Sequence, residues 1–289
     1  MVVTPKSGKH TRCLVILHGR GSNGEKFGLE LLQTHIPGYE TLQDALPDAK
    51  FIFPTAAKRR ARIFNRTPMH QWLDNWSLQT PAEREEFLFN GLRESTIFIH
   101  GLLEAEIAAV GAEHVLLWGL SQGCAASLVA SLLWQGEGYA AVIGMCGWLP
   151  LRKQIEDAVF QTEVDGKADD PFGQDDEDSA GHTVPDINMV VEYLREEIQM
   201  PSDLSSSKLS DMPVFLGHGT EDEKVPLALG REAAELLRKL DVGAESKEYE
   251  GLGHWYSGEM LCDIVNFIQR QAEWPMKPAS SDKQGRLQV

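Results

Sequence analysis

The sequence predicts an α/β fold in which a mostly parallel central sheet is flanked by helices on both faces. Short runs of consecutive apolar residues alternate with longer segments whose apolar residues recur at helical spacing. Continuous apolar runs are typical of strands buried on both faces of a parallel sheet, and the helices between them supply the crossovers. The length of 289 residues is compatible with one domain of this kind.

The first apolar run begins at Arg12 and ends before His18-Gly19, and later runs repeat its pattern. The predicted strands are 12–17, 50–54, 114–118, 140–145, 212–217 and 246–249. Helices are predicted between them because apolar residues recur near the 3.6-residue period, and Pro226 suits a first helical turn. The predicted helices are 85–110, 124–134, 185–200, 225–240 and 256–268.

One domain is predicted over residues 1–273, followed by a frayed polar tail at 274–289. An acidic, flexible insertion is expected at about 161–207, because eight of the sixteen residues from Glu163 to Asp178 are acidic. A calcium loop is a poor interpretation of this run, since the glycine and terminal glutamate of such loops are missing. We expect the acidic run to lie in solvent.

Composition excludes several classes of function. The formal net charge is −16, which disfavours a nucleic-acid partner. No apolar run approaches the ~18 residues of a transmembrane helix, and the N-terminus has no apolar core of a signal peptide, so a cytoplasmic or nuclear location is expected. The four cysteines stand singly within apolar segments, which favours free thiols over disulfides or a zinc site.

The strongest chemical signal is Gly119-Leu120-Ser121-Gln122-Gly123, which lies between a predicted strand and a predicted helix. In that context the motif predicts a serine nucleophile on a tight, strained turn. Side chains two residues before and after the serine would collide with the neighbouring backbone, which explains the two glycines. The backbone N–H of Gln122 is then expected to face a developing oxyanion.

A serine nucleophile needs a base and an orienting acid, which follow it along the chain in this strand–turn–helix arrangement. His254 is the predicted base because it lies in a glycine-flanked loop after the last predicted strand. The loop after strand 212–217 offers three acids, Glu221, Asp222 and Glu223. His18 and His218 end strands beside glycines and are interpreted as residues that shape loops.

A second oxyanion donor should come from the loop after the first strand, where the backbone N–H of Arg20 is the candidate. The same loop contains Gly19-x-Gly21-x-x-Gly24, which matches a dinucleotide-binding fingerprint. That alternative requires a second strand ending in an acid about 20 residues later. Residues 38–44 contain Glu40 and Asp44 but no apolar run before them, so the alternative is disfavoured.

Seven blocks spread over residues ~12–270 resemble the acyl-protein thioesterase/carboxylesterase group of α/β-hydrolases, also called the phospholipase/carboxylesterase family. The matching blocks are Leu17-His18-Gly19-x-Gly21, Phe51-Ile52-Phe53-Pro54-Thr55-Ala56, Trp72-Leu73-Asp74, Gly119-Leu120-Ser121-Gln122-Gly123, Cys146-Gly147-Trp148-Leu149-Pro150-Leu151, His218-Gly219-x-x-Asp222-x-x-Val225-Pro226 and Tyr249-Glu250-Gly251-x-x-His254. The resemblance implies an α/β-hydrolase fold with Ser121, Asp222 and His254 as its triad. It therefore selects Asp222 from the three acids.

Such a family member would hydrolyse acyl esters or thioesters through an acyl-enzyme, with no metal or organic cofactor required. Acyl-protein thioesterase activity, including removal of S-palmitoyl groups, is the leading interpretation. A carboxylesterase or lysophospholipase acting on small or lipid esters is the alternative, and a non-catalytic binding protein is a remote one. The expected partner is an acylated protein or a small acyl substrate, with transient encounters at a membrane surface.

Four apolar side chains, those of Trp72, Trp76, Trp148 and Leu149, are candidates for an acyl-binding groove. The chain departs from the family pattern at Arg20, where a small or aliphatic residue is usual. The Arg20 backbone could still donate to an oxyanion, but its charged side chain is expected to reshape the mouth of the site.

Overall fold

The computed structural model of the chain describes residues 1–77, 79–160, 186–201, 206–272 and 274. Its strands are β1 (Val2–Val3), β2 (Arg12–Leu17), β3 (Ala49–Ile52), β4 (Lys58–Ala61), β5 (Thr67–His70), β6 (Val115–Leu120), β7 (Ala141–Met145), β8 (Val214–Gly219) and β9 (Ala244–Tyr249). Its helices are α1 (Gly24–Gln33), α2 (Leu42–Ala45), α3 (Phe89–Val110), α4 (Gln122–Leu132), α5 (Arg152–Phe160), α6 (Ile187–Glu197), α7 (Leu227–Lys239) and α8 (Gly258–Gln271). Short 3₁₀ turns connect several of these elements.

Within the described residues, seven strands form one sheet in the order β1-β3-β2-β6-β7-β8-β9. Strand β1 pairs antiparallel with β3, and the remaining pairs are parallel. The predicted α/β class and all six predicted strands are confirmed, although β9 begins two residues earlier than expected and β8 ends two residues later. Parallel pairing brings the carboxyl ends of β2, β6, β8 and β9 to one edge of the sheet.

The sheet is buried on both faces because its central strands are apolar at every position. In β6, Val115 and Leu117 pack against α3 and α4, whereas Leu116 and Trp118 pack against the opposite layer of α1, α2 and α8. This alternation follows from the two-residue period of a strand. A continuous apolar run therefore serves two cores at once.

A hairpin and an N-terminal helix were not expected from the sequence. The β4–β5 hairpin contains Lys58-Arg59-Arg60, which lacks the apolar pattern of a buried strand. Helix α1 follows directly on the glycine-rich loop, and the side chain of Asn23 caps it by accepting a hydrogen bond from the backbone N–H of Lys26 at 2.9 Å. Both elements contribute side chains to the cleft described below.

Part of the predicted flexible insertion is ordered and packed. Helix α6 lies within the predicted 185–200 helix, and it buries Val190, Val191 and Leu194 in the core shared with α5. These apolar side chains recur at helical spacing, which is why this part of 161–207 folds onto the domain. The acidic residues 163–178 lie outside the described residues.

The boundary predicted at residue 273 falls too early, because Trp274 belongs to the core. Its side chain is 1% exposed, and its indole N–H donates a 3.1 Å hydrogen bond to the carbonyl of Glu113. The rest of the predicted tail, 275–289, lies outside the described residues. No helix in the described part of the chain is long and apolar enough to cross a bilayer.

Trp274→Ala is expected to lower the free energy of unfolding by about 3–5 kcal/mol, because it leaves a cavity and removes a buried hydrogen bond. Urea denaturation of the full chain measures this change. Trp76→Ala is the control, since Trp76 is 45% exposed and should have a much smaller effect. Equal effects of the two substitutions would show that residue 274 belongs to a frayed tail.

Candidate active site

Ser121 lies on a strained turn between β6 and α4. Its backbone has a φ of 57° and a ψ of −118°, a region that residues with side chains seldom adopt. A Cβ placed on Gly119 would lie 2.2 Å from the carbonyl of Gly123, and one on Gly123 would lie 2.5 Å from the carbonyl oxygen of Leu17. Both flanking glycines are therefore required by contact between backbones, as expected from the motif.

The structure brings Ser121, His254 and Asp222 together in one hydrogen-bonded chain. The His254 Nε2 atom lies 2.8 Å from the hydroxyl of Ser121, and the Nδ1 atom lies 2.7 and 2.9 Å from the two carboxylate oxygens of Asp222. His254 lies in the loop between β9 and α8, and Asp222 lies in the loop after β8. A carboxylate accepts from Nδ1, so Nδ1 carries a proton and Nε2 is free to accept one from Ser121.

Geometry separates Asp222 from its two acidic neighbours. The carboxylate of Asp222 is fully buried and faces His254, whereas Glu221 and Glu223 are exposed. The backbone N–H groups of Lys224 and Val225 both donate to Asp222 at 2.9 Å. These bonds fix the carboxylate in place independently of His254.

His218 also contacts Asp222, and this contact was not predicted from the sequence. Its Nε2 atom lies 3.2 Å from the Asp222 carboxylate and 3.0 Å from the carbonyl oxygen of Val225. Since both neighbours are acceptors, Nε2 must be the protonated donor. Burial raises the pKa of Asp222, but hydrogen bonds from His218, His254 and the Val225 amide outweigh it and hold that pKa well below its usual range.

The two backbone amides expected to bind an oxyanion belong to Arg20, in the loop after β2, and to Gln122, at the N-terminus of α4. Within the described residues neither amide donates to a protein acceptor. The Gln122 side chain instead holds the neighbouring loop, because it accepts from the Trp72 amide at 2.8 Å and donates to the Leu73 carbonyl at 2.7 Å. Since the Gln122 backbone N–H donates to no acceptor in the described residues, it is available to a substrate oxygen.

His18 organises the loop that carries Arg20, consistent with its interpretation as a loop-shaping residue. Its Nε2 atom accepts from the amide of Ala56 at 3.0 Å, and its Nδ1 atom lies 2.7 Å from the carbonyl of Gly19. These partners require the neutral ring with the proton on Nδ1. Burial lowers the pKa of His18 to about 4, with the Gly19 bond opposing the shift.

A cleft of about 490 Å³ opens above Ser121 and His254. Its apolar wall differs from the predicted groove and comprises Phe27, Phe64, Met69, Leu120, Val225 and Trp255. The prediction for Trp72, Trp148 and Leu149 is corrected, since all three are buried in the core, and exposed Trp76 does not line this cleft. Trp72 instead donates through its indole N–H to the carbonyl of His18. The identity of an apolar residue does not show whether its side chain faces the core or the cleft, which explains the error.

Two groups of residues in the described part of the chain place potential metal ligands within 4.8 Å of one another. They are Cys146 with Asp222 and His254, and His10 with Cys13 and Glu106. In the first group, the Asp222 and His254 donors are engaged in the chain described above, and burial raises the pKa of the Cys146 thiol to about 12. In the second group, Lys50 pairs with Glu106 at 2.6 Å.

Comparison with known families gives a match to the phospholipase/carboxylesterase model over residues 1–177 and 193–272. Acyl-protein thioesterase 1 of Gibberella zeae is 24% identical over 275 residues, which cover 93% of this chain and 94% of that protein. Carboxylesterase SOBER1 of Arabidopsis thaliana is 26% identical over 261 residues, which cover 88% of each chain.

Solved structures show the same fold. The Zea mays acyl-protein thioesterase 2 structure superposes with a TM-score of 0.65 at 23% identity, covering 94% of this chain and 98% of the other. The structure of Arabidopsis thaliana SOBER1 gives a TM-score of 0.62 at 23% identity, covering 90% and 98%. The fold is that of an α/β-hydrolase.

Gly123→Ala is expected to destabilise the protein by about 2–3 kcal/mol, since the added methyl group meets backbone atoms that cannot move independently. Gly101→Ala, in α3, is the matched control because its Cβ would meet nothing within 4 Å. That substitution should stabilise the protein by up to about 1 kcal/mol through helix propensity. Thermal unfolding of both variants measures the difference, and a Gly123→Ala variant as stable as wild type would contradict the close contact.

The free energy of unfolding is expected to fall as the pH drops from about 6.5 towards 4. The unfolded chain then binds a proton at His18 that the folded chain excludes, because the folded pKa is lowered to about 4. This contribution is fully retained at pH 7, and its loss lowers the free energy of unfolding by at most about 3 kcal/mol at pH 4.

Denaturant unfolding at several pH values measures this dependence. His18→Gln should flatten it while lowering stability at pH 7, and substitution of the exposed His35 by Gln should leave it unchanged. An identical pH dependence in wild type and His18→Gln would contradict the role of His18.

Proposed function

The chain belongs to the phospholipase/carboxylesterase family of α/β-hydrolases, and on this premise we propose that it hydrolyses acyl thioesters and esters through Ser121, His254 and Asp222, with acylated proteins as its principal substrates. The observation that carries the proposal is the continuous hydrogen-bonded chain from the Ser121 hydroxyl to the buried Asp222 carboxylate. The expected cytoplasmic or nuclear location, with transient encounters at membrane surfaces, forms part of this proposal.

In the first half of the reaction, His254 Nε2 takes the proton of the Ser121 hydroxyl as its oxygen attacks the acyl carbonyl. Asp222 remains ionised and stabilises the resulting imidazolium through the proton on Nδ1. The amides of Arg20 and Gln122 donate to the tetrahedral oxyanion. His254 then gives its proton to the leaving thiol or alcohol, which leaves Ser121 acylated.

In the second half, His254 removes a proton from water, and the hydroxide attacks the acyl-enzyme. Collapse of the second tetrahedral intermediate releases the free acid, and His254 returns the proton to Ser121. After one turnover, Ser121, His254 and Asp222 have returned to the protonation states in which they started. The strained turn holds the Ser121 oxygen in the cleft throughout, so no rearrangement of α4 is needed.

The apolar wall of the cleft supports an acyl chain as the bound group. Phe27 and Trp255 meet edge to face, with ring centroids 6.3 Å apart, and Trp255 stacks on Tyr256. Such aromatic walls bury the methylene groups of an acyl chain at roughly 0.8 kcal/mol each. A general carboxylesterase acting on small esters is the second candidate, supported by the sequence similarity to a plant carboxylesterase.

Ser121→Ala is expected to lower the rate of hydrolysis by at least about a thousandfold, since it removes the nucleophile. The measurement uses a long-chain acyl thioester and a short 4-nitrophenyl ester as paired substrates. The thioesterase proposal requires the higher kcat/KM for the long-chain thioester, whereas the reverse ranking supports the carboxylesterase candidate.

Ser127→Ala is the matched control. Ser127 lies in the same helix as Gln122, and its buried hydroxyl has no hydrogen-bond partner in the described structure. Its removal should leave both rates within about twofold of wild type. Wild-type protein that cleaves neither substrate and does not react with a fluorophosphonate probe at Ser121 would overturn the proposed catalytic function.

A further inference from the structure

The side chain of Arg20 is a buried cation without a hydrogen-bond partner, and Arg20 lines the same cleft as Ser121. All three of its guanidinium nitrogens are buried, and none has a hydrogen-bond partner in the described part of the chain. The guanidinium carbon lies 6.0 Å from the centroid of the Phe64 ring. Phe64 also lines the cleft.

The carboxylate that could neutralise Arg20 is already engaged. Asp74 attracts the guanidinium electrostatically, but its oxygens accept from Arg62, at 3.1 Å from the Arg62 amide and 3.2 Å from Nε. Burial lowers the pKa of Arg20 to about 10, so the group is still protonated at neutral pH. Arg20, which lines the cleft, therefore carries a buried positive charge, and in the described part of the chain its attraction to Asp74 is shared with Arg62.

The charge of the cleft is opposite to that of the whole protein. Lys224 is a second cation in its lining, and none of the described residues that line it is Asp or Glu. The protein as a whole has a formal net charge of −16. An anionic ligand would be repelled by most of the surface but attracted to this cleft, where low polarity strengthens the interaction.

Burying an unpaired guanidinium is unfavourable, and a fold would gain stability by replacing it with an aliphatic residue. The cost of burying this charge is offset if a bound anionic ligand supplies hydrogen-bond acceptors to the guanidinium. Arg20 gives up no protein hydrogen bond when its side chain turns towards a ligand, and its planar donors match an oxyanion group in two-point contact.

We propose that Arg20 is a specificity residue that selects substrates with an anionic oxygen group, such as a carboxylate, close to the scissile acyl bond. This inference rests on the proposed hydrolase function and narrows its substrate class. The anionic group could belong to the acyl part, as in a dicarboxylic acid monothioester, or to the leaving group. The chemistry recognised by Arg20 is the same in both cases.

Three matched thioesters separate these sources when thiol release is measured. The neutral reference is the hexanoyl thioester of an uncharged thiol. The adipoyl thioester of that thiol places a carboxylate on the acyl part, and the hexanoyl thioester of 3-mercaptopropionate places it on the leaving group. Wild type should prefer one of the anionic substrates over the reference by about 10- to 100-fold in kcat/KM.

Arg20→Leu should abolish this preference, so that the anionic-to-neutral ratio of kcat/KM falls by the same factor. The ratio is the readout because any disturbance of the Arg20 backbone amide affects all three substrates alike. Arg20→Lys should restore part of the ratio, since it keeps the charge but not the planar donors. Arg60→Leu removes an exposed charge from β4, outside the cleft lining, and should change the ratio less than about threefold.

Thermal unfolding distinguishes this role from a structural one. Arg20→Leu should unfold at the same temperature as wild type or higher, because the substitution removes an uncompensated buried charge. A clear loss of stability together with equal losses on all three substrates would show that Arg20 serves the fold instead.

The outcomes also separate this inference from the proposed function. Hydrolysis of the neutral thioester that depends on Ser121, with no preference for either anionic substrate, would overturn the specificity role and leave the hydrolase proposal standing. Failure of wild type to cleave any of the three thioesters would overturn both.

Discussion

The backbone contact between β2 and the turn after β6 is the constraint on which the site depends. Gly123 lies against the carbonyl oxygen of Leu17, and this contact leaves no room for a side chain. It brings the loop after β2 beside the N-terminus of α4, so the amides of Arg20 and Gln122 are held next to Ser121. This one close contact between two backbones thus positions the nucleophile and both oxyanion donors relative to one another.

Parallel strand order supplies the remaining groups. The loops after β8 and β9 open at the same edge of the sheet as the turn after β6, so Asp222 and His254 reach Ser121 from positions distant in the chain. Asp222 is then held by two backbone amides and by His218 as well as by His254. Several donors around one buried carboxylate keep it ionised, and an ionised carboxylate orients the imidazole.

Much of the fold could be predicted from the sequence because its strands are apolar on both faces and its main helices are amphipathic. The β4–β5 hairpin escaped prediction because β4 carries the charged run Lys58-Arg59-Arg60 and half of the residues in the two strands are exposed, so neither strand shows an apolar run. The groove prediction failed for a related reason: Trp72 and Trp148 are as apolar as Phe27 and Trp255. Only the path of the chain decides which of these side chains faces the core and which faces the cleft.

The sequence by itself determined the α/β class, the strained serine turn and the order of the chemically active groups along the chain. Each of these depends on local spacing, which sterics and periodicity make readable. Chain order left three acids open and only the family resemblance singled out Asp222; the tertiary structure is what buries its carboxylate against His254 and leaves Glu221 and Glu223 exposed. It also decided that the Arg20 guanidinium is buried without a hydrogen-bond partner among the described residues. Burial and charge compensation depend on residues far apart in the chain, so no local pattern encodes them.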